Sequence, residues 1–139
     1  MAKLSCVLLV DDDPATNYLN RRILERLDVA DTILVALDGE EALAQLAETC
    51  TDASNTCPVL IFLDVKMPVM DGFEFLAAFQ QLPIQQRQSI VLVMLTTSLH
   101  PRDLERLQDL PVADFLNKPL TNEKIEQVLA THFPLINNN

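Results

Sequence analysis

Acidic, hydroxyl and basic side chains follow four apolar runs of this sequence, at the point where each run ends. In chain order they are Asp11, Asp12 and Asp13, then Asp64, Thr96 and Lys118. If the runs are parallel strands of one sheet, their carboxyl ends lie at one edge and these side chains meet there. Carboxylates gathered with a hydroxyl and an ammonium can hold Mg²⁺ and accept a phosphoryl group on a carboxylate oxygen.

The residues of this set suit distinct roles. Asp64 stands alone after a central run and is the best candidate for the nucleophile, whereas Asp11 and Asp12 are placed to hold a cation. Clustered carboxylates need that cation, since a pair roughly 4 Å apart at an effective dielectric of about 20 costs on the order of 4 kcal/mol. Mg²⁺ fits better than Zn²⁺, for which no His or Cys is available. Lys118 can neutralise phosphoryl oxygens, and Thr96 can donate a hydrogen bond to them.

Each residue also has an ordinary structural explanation when it is considered alone. An Asp run before a helix is often a cap, a strand-end Asp a turn residue, a strand-end Thr a β-former, and Lys-Pro a loop. Their occurrence together at the ends of four predicted strands favours a site for Mg²⁺ and phosphoryl transfer. Random placement would rarely bring acid, acid, hydroxyl and base to the same end of strands one, three, four and five.

The elements that must position these side chains are five short apolar runs that alternate with five segments of helical period. The predicted strands are 4–10, 32–36, 59–63, 90–95 and 112–116. Their near-continuous hydrophobicity indicates burial on both faces, so the predicted fold class is α/β, a parallel sheet with helices on both sides. The predicted helices begin after the cap Asp13, after Asp38-Gly39, near Asp71 with Glu74 as a capping box, at Pro101, and after the cap Thr121.

Hydrophobic periodicity predicts which face of each helix is buried. The predicted inward residues are Leu19, Ile23 and Leu27 in the first helix, Ala42, Leu43 and Leu46 in the second, Phe75, Leu76 and Phe79 in the third, Leu104 and Leu107 in the fourth, and Ile125, Val128 and Leu129 in the fifth. The polar segment 48–58 is predicted to be an exposed surface loop, because it is longer than a usual helix-to-strand connection.

Composition limits the classes of function. The 139 residues indicate one domain, 1–139, with a core of about 4–133 and a short tail at 134–139. The formal net charge of -10 argues against direct nucleic-acid binding, and the apolar runs are too short for membrane insertion. Without a secretory signal, the predicted location is the cytoplasm. Reduced thiols are therefore expected at Cys6, Cys50 and Cys57, the alternative being a Cys50–Cys57 bridge.

Taken together, these motifs resemble the receiver domain of two-component response regulators, over residues 4–133. The resemblance rests on Leu8–Pro14, Asp64–Gly72, Leu95-Thr96 and Lys118-Pro119, and Asp38–Leu43 matches the family's usual start of the second helix. It implies a flavodoxin-like, doubly wound (βα)5 fold with strand order 2-1-3-4-5. Because no output domain is attached, a stand-alone receiver is expected.

The resemblance also implies roles for the site residues. Asp64 would accept a phosphoryl group from a histidine kinase or a phosphotransfer protein. Asp12, Asp64 and the backbone carbonyl of Lys66 would ligate Mg²⁺. Asp11 would act mainly through water. With Lys66 and Ser98 at the positions that tune self-dephosphorylation, neither side chain can orient an attacking water as a carboxylate would, so we expect a long-lived phosphoryl state.

The switch residues implied by the family are Thr96 and Phe115. The aromatic ring would follow the hydroxyl inward and reshape the face made by helix four, strand five and helix five, where an unidentified downstream protein binds. A homodimer through the fourth and fifth helices is compatible with the resemblance. The Lys118-Pro119 bond is expected to be cis, as in relatives. The expected kinase contacts are exposed positions of the first helix, including Asn17, Asn20 and Arg21, and the loop after Lys118.

Two other functions stay open at this point. An aspartyl-nucleophile phosphatase would use Asp11 and Asp13, but Ala15 stands where that superfamily places Thr or Val, and Asp64 would have no purpose. A flavin-binding protein of the same fold would need a Ser/Thr/Gly-rich first loop, and carboxylates occupy that place instead.

Overall fold

Five strands form one parallel sheet in the order β2-β1-β3-β4-β5. The structure is a computed structural model that describes residues 3–50, 57–83, 89–97, 105 and 112–134. The strands are β1 (Leu4–Val10), β2 (Ala30–Ala36), β3 (Leu60–Asp64), β4 (Val91–Thr96) and β5 (Asp114–Asn117). The helices in these ranges are α1 (Pro14–Leu27), α2 (Gly39–Thr49), α3 (Gly72–Phe79) and α4 (Asn122–His132). The predicted strand order and fold class are confirmed, while strand boundaries shift by one to two residues in four of the five strands.

The register of the strands aligns their carboxyl ends. Val10 pairs with Leu63, Asp64 pairs with Leu95, and Thr96 pairs with Asn117. The residues just beyond β1 and β5 therefore lie at the same edge as the ends of β3 and β4. This edge is the place where open α/β sheets bind ligands.

Alternate residues of the central strands pack into two cores, one on each face of the sheet. One core contains Leu8, Ile61, Leu63 and Met94 with side chains of α2 and α3, among them Ala42, Leu46, Phe75 and Phe79. The other contains Leu9, Phe62, Val93 and Leu95 with Leu24 of α1 and Ile125, Val128 and Leu129 of α4. The helices thus cover both faces, as the strands' hydrophobic runs predict.

The helix starts follow the predicted capping chemistry. The Asp13 side chain accepts a hydrogen bond from the backbone N–H of Ala15, and Asp38 accepts one from that of Glu41. Asp71 and Glu74 form the complete capping box at α3, and Thr121 caps α4. These bonds fix where each helix leaves the sheet edge.

The predicted core stripe of α1 is wrong at Leu19, whose side chain is 60% exposed. Ile23 and Leu27 are only partly buried, and Leu24 is the apolar residue that is fully enclosed. The inward face of α1 is completed by the polar residues Asn17 and Asn20, so its buried stripe is displaced from the apolar periodicity. The expected exposure of Asn17 and Asn20 is therefore wrong, whereas Arg21 is exposed as expected. Contact of α1 with a kinase stays a prediction.

The prediction of three reduced thiols is also wrong. Cys50 and Cys57 form a disulfide, with their Cα atoms 4.4 Å apart, a separation that a disulfide can bridge. The bridge joins the end of α2 to the approach to β3, and Cys6 alone is a free, buried thiol. Within the segment 48–58, predicted to be an exposed loop, Cys50 and Pro58 are buried, and residues 48 and 49 belong to α2.

Several predictions fall outside the described residues. They concern the fourth predicted helix with Pro101, Leu104 and Leu107, the loop residues 51–56, Ser98, and the end of the tail at 135–139. Among the helices that the structure does describe, none has the length and apolar character needed to span a bilayer.

Candidate phosphoacceptor and metal site

Three carboxylates meet at the carboxyl edge of the sheet. Oxygens of Asp11, Asp12 and Asp64 all lie within 4.8 Å of one another. Asp11 and Asp64 are buried, being 3% and 6% exposed, whereas Asp12 faces solvent. The structure thus brings together the acids that the sequence separates by more than fifty positions.

Lys118 connects two of these carboxylates. Its Nζ donates a hydrogen bond to Asp11 Oδ2 at 2.6 Å and lies 3.2 Å from Asp64 Oδ1. The backbone of Lys118 is fixed beside the end of β4, because its N–H donates to the carbonyl of Thr96 at 2.9 Å. The Lys118–Pro119 bond is cis, as expected.

Burial and mutual repulsion shape the titration of the site. Burial raises the pKa of Asp64, the negative charge of Asp11 adds to that rise, and Lys118 and the Lys66 backbone N–H oppose it. Burial alone would lower the pKa of Lys118, but its hydrogen bond to Asp11 and the charges of both carboxylates raise that pKa overall. Lys118 is therefore cationic at neutral pH, and ionised Asp64 carries an unfavourable energy that a further cation would reduce.

Asp11 is oriented by contacts that hydrophobic patterning could not reveal. The Asn17 side-chain amide donates to the Asp11 carbonyl at 2.8 Å, and the backbone N–H of Asp13 donates to Asp11 Oδ1 at 3.0 Å. An Asn at an inward helix position was the available signal, since a buried amide needs partners. These bonds leave Asp11 Oδ2 directed to Lys118.

The two predicted switch residues lie on neighbouring strands. Thr96 ends β4 and is buried, and Phe115 lies on β5 with its side chain 37% exposed. Lys66, predicted to contribute its backbone carbonyl, follows Asp64 by two residues, and its side chain is exposed. Thr96 thus lies beside the acidic cluster, while the ring of Phe115 reaches solvent.

The donor set fits Mg²⁺. Three carboxylates with a single ammonium between two of them leave a net negative cluster that opens to solvent at Asp12. Hard oxygen ligands with access to water are what Mg²⁺ requires, because it retains several of its own waters.

The segment between β3 and α3 contains a strained turn. Val69 has φ 65°, and the backbone N–H of Met70 donates to the Pro68 carbonyl at 2.7 Å, which closes a γ-turn. A positive φ is unfavourable for a β-branched residue, and the Val69 side chain is 70% exposed, so packing gives it little compensation.

Replacing Val69 with glycine should stabilise the fold by about 1 kcal/mol, because glycine has no Cβ and adopts positive φ as readily as negative φ. Urea unfolding followed by circular dichroism measures the difference. Val69→Thr is the matched control, because it keeps the branched Cβ and should stay near wild type. Unfolding of the glycine variant at a lower urea concentration than wild type would contradict this account.

A groove of about 520 Å³ opens next to Lys118. It lies between α1 and the residues that follow β5. Its lining includes Leu19, Arg22, Ile23, Arg26, Pro119 and Leu120. The groove combines apolar side chains with two arginines, on a chain whose net charge is -10.

The family model of the response regulator receiver domain matches residues 7–130. The chain belongs to this family. Its fold agrees with that of a two component response regulator from Cytophaga hutchinsonii, with a TM-score of 0.83 at 28% identity, covering 94% of this chain and 97% of that one. The flavodoxin-like architecture of the receiver domain is confirmed by this agreement.

The chain is also similar in sequence to proteins that are named response regulators. The receiver is 33% identical to the response regulator Rcp1 of Synechocystis over 112 residues, which cover 81% of this chain and 75% of Rcp1. It is 28% identical to the probable C4-dicarboxylate response regulator DctR of Halalkalibacterium halodurans, covering 91% of this chain. Because it spans only 50% of the length of DctR, that comparison concerns the receiver portion alone.

Membership explains why these side chains lie together. Receiver domains are signalling modules of two-component systems, they generally bind Mg²⁺ at an acidic pocket, and they partner with histidine kinases and phosphotransfer proteins. The acidic cluster of this receiver corresponds to such a pocket.

Proposed function

We propose that Asp64 is the phosphoacceptor of this receiver and that its phosphorylation depends on Mg²⁺. The observation that carries the proposal is the position of the Asp64 carboxylate, buried at the sheet edge within reach of Lys118 and of two further carboxylates. Lys118 compensates the negative charge of this nucleophile on one side, and Mg²⁺ bound to the further carboxylates would compensate it on the other.

In the proposed transfer, an Asp64 carboxylate oxygen forms a bond to phosphorus while the bond between phosphorus and the donor atom breaks. With a phosphohistidine donor the leaving group is the imidazole nitrogen. Lys118 Nζ, already 3.2 Å from Asp64 Oδ1, neutralises negative charge on the transferred oxygens. Thr96 contributes a hydroxyl hydrogen bond to the phosphoryl group once it is in place.

The residues that would hold Mg²⁺ are Asp12, Asp64 and the backbone carbonyl of Lys66, with Asp11 acting through water. When bound, the ion supplies positive charge that offsets both the carboxylate repulsion and the charge of the phosphoryl oxygens. The exposure of Asp12 supports this arrangement, because Asp12 can ligate an ion that retains water on its open side.

The proposed output is a change at the surface near Phe115. Movement of the Thr96 hydroxyl toward the phosphoryl group would free space behind it, into which the Phe115 ring rotates from its 37% exposed position. Burying an aromatic ring stabilises the switched state by the apolar area removed from water. The altered surface would bind a downstream protein or a second copy of the chain.

The groove beside Lys118 is the proposed docking place of the histidine kinase or phosphotransfer protein. Lys118, whose ammonium contacts Asp64, is one of the residues that line it, so a donor seated there would bring its phosphohistidine to the site. We further propose that residues 1–139 form a single receiver domain with its core at 4–133, in the cytoplasm and without direct contact to nucleic acid or insertion in a membrane.

The local chemistry argues against the phosphatase alternative. Asp13, which such an enzyme would use beside Asp11, caps α1, and its hydrogen bonds from Thr16 and Ala15 lower its pKa. A carboxyl of lowered pKa that is committed to a helix cap is a poor general acid.

Incubation with acetyl phosphate and Mg²⁺ tests the proposed function. We expect intact-mass spectrometry to show an added mass of about 80 Da, one PO₃ group. Chelation of divalent ions before the donor is added should prevent the gain. An unchanged mass with donor and Mg²⁺ in excess would show that this protein is not a phosphoacceptor.

A further inference from the structure

The two glycines of the sequence both contact the segment between β3 and α3. Gly39 is the first residue of α2, Gly72 is the first residue of α3, and both are buried. The segment, residues 65–71, follows Asp64 directly and includes Lys66, whose backbone N–H donates to the Asp64 carboxylate. The position of this segment therefore determines the surroundings of Asp64.

Gly72 lies against the backbone of Asp64 itself. Its N–H donates to the Val65 carbonyl at 2.9 Å. A Cβ added at Gly72 would lie 2.7 Å from the Asp64 carbonyl oxygen and 2.9 Å from Val65 Cα, well inside the 3.4 Å at which ordinary contact begins. Because both atoms belong to the backbone, no side-chain rotation could relieve the clash.

Gly39 holds the other end of the segment. Its N–H donates to the Met70 carbonyl at 3.2 Å. A Cβ at Gly39 would lie 2.7 Å from Met70 Cγ, 2.9 Å from Sδ and 3.0 Å from the Met70 carbonyl oxygen. This contact is made mostly with a flexible side chain, so it can adjust more easily than the one at Gly72.

Both positions require glycine because a Cβ would not fit there, and not because of the backbone conformation. Neither of them has a positive φ. Alanine at these positions would adopt the same backbone angles and would favour the helix more than glycine does. What alanine cannot do is approach the neighbouring backbone as closely.

We infer that Gly72 is a positioning residue for phosphoryl transfer. Its missing Cβ lets α3 begin against the Asp64 carbonyl, and together with the Gly39–Met70 contact this fixes segment 65–71 relative to the Asp64 carboxylate. The inference rests on the proposed role of Asp64 as phosphoacceptor. Displacement of a reacting group by about 1 Å can lower a rate on the order of 10²-fold, so a small backbone shift has a large effect.

The test compares Gly72→Ala with Val128→Ala, a core truncation on the opposite face of the sheet that contacts neither the segment nor the site. The measurements are the initial rate of phosphorylation by acetyl phosphate, the Mg²⁺ affinity by calorimetry, and the urea midpoint. We expect Gly72→Ala to lower the rate about tenfold or more and to weaken Mg²⁺ binding. Val128→Ala should keep both close to wild type while its urea midpoint falls.

The outcomes separate the inference from the proposed function. If wild type itself takes up no phosphoryl group, the proposed function fails. If wild type is phosphorylated and folded Gly72→Ala matches it in rate and Mg²⁺ affinity, or loses no more than Val128→Ala, the positioning role is overturned.

A second pair of variants decides the matter if Gly72→Ala does not fold. Gly39→Ala should lower the rate severalfold, and the double variant Gly39→Ala, Met70→Ala should recover most of that loss, because the truncated side chain no longer meets the new Cβ. Recovery of the rate in the double variant supports the inference that Gly39 and Gly72 together position segment 65–71. A Gly39→Ala rate equal to wild type, or a double variant no faster than Gly39→Ala, overturns it.

Discussion

Replacing Asp64 with asparagine should abolish the phosphoryl adduct and raise the stability of the magnesium-free fold. Asparagine has no carboxylate oxygen to form the acyl phosphate, so no added mass is expected even with excess acetyl phosphate. The gain in the free energy of unfolding should be about 1 kcal/mol at neutral pH, because a buried negative charge near Asp11 is removed while Lys118 retains Asp11 as its partner.

The gain in stability should depend on pH in a definite direction. The pKa of Asp64 in the fold is raised, so its ionised form destabilises the fold above that pKa, and the penalty disappears as pH falls below the unfolded value. The difference between Asp64→Asn and wild type should therefore shrink in acid. Asp31→Asn, at an exposed position of β2, is the control and should be phosphorylated like wild type. An Asp64→Asn protein that still gains one PO₃ group would rule out Asp64 as the acceptor.

Replacing Lys118 with methionine should have the second-largest effect. The side chain of Lys118 is 17% exposed, and those of Asp11 and Asp64 are 4% and 9% exposed, so removing the ammonium leaves two poorly hydrated carboxylates facing each other. We expect a loss of about 3 kcal/mol in Mg²⁺-free buffer, since breaking a buried pair is costly. Phosphorylation should slow by roughly 10²-fold, because a charge that stabilises the transition state is lost.

Magnesium provides the discriminating measurement for Lys118→Met. A divalent ion binds the same carboxylates in the folded state only, so millimolar Mg²⁺ should recover much of the lost stability while the phosphorylation rate stays low. Methionine keeps the apolar stem, which isolates the effect of the charge. Lys3→Met removes the ammonium of an exposed ion pair with Asp28 and is the control. Equal urea midpoints and rates for Lys118→Met and Lys3→Met would contradict the assigned role of Lys118.

The acidic site was predictable because it depends on strand order. Asp11 and Lys118 are separated by 107 positions, yet each follows a strand of one parallel sheet, and parallel strands end at the same edge. The helix caps Asp13, Asp71 and Thr121 were predictable for a local reason, since a cap bonds within three residues of itself.

The buried face of α1 was not predictable from hydrophobic period. Asn17 is buried because its amide bonds the Asp11 carbonyl and reaches the Ala36 carbonyl at 3.4 Å, contacts that join three elements. Leu19 is left 60% exposed as a consequence. A pattern of apolar residues does not contain information about which backbone carbonyls at a sheet edge need a partner.

Two contacts between segments could not be predicted from the sequence either. The Cys50–Cys57 bridge depends on how closely the end of α2 approaches the start of β3, and the sequence gives only the spacing. The clearance at Gly72 depends on the distance between the first turn of α3 and the Asp64 carbonyl. The motif around Asp64 identified residues that meet at the sheet edge, and the packing that positions them became visible only in three dimensions.

Reductive trapping tests the central claim most directly. Borohydride converts the acyl phosphate of an aspartate to homoserine, so wild type treated with acetyl phosphate and Mg²⁺, then reduced and digested, should yield a peptide with homoserine at position 64. That result would locate the phosphoryl group on the carboxylate of Asp64, which lies beside Lys118 and near Asp11 and Asp12. Homoserine at Asp11, Asp12 or any other aspartate, with position 64 unchanged, would contradict the account.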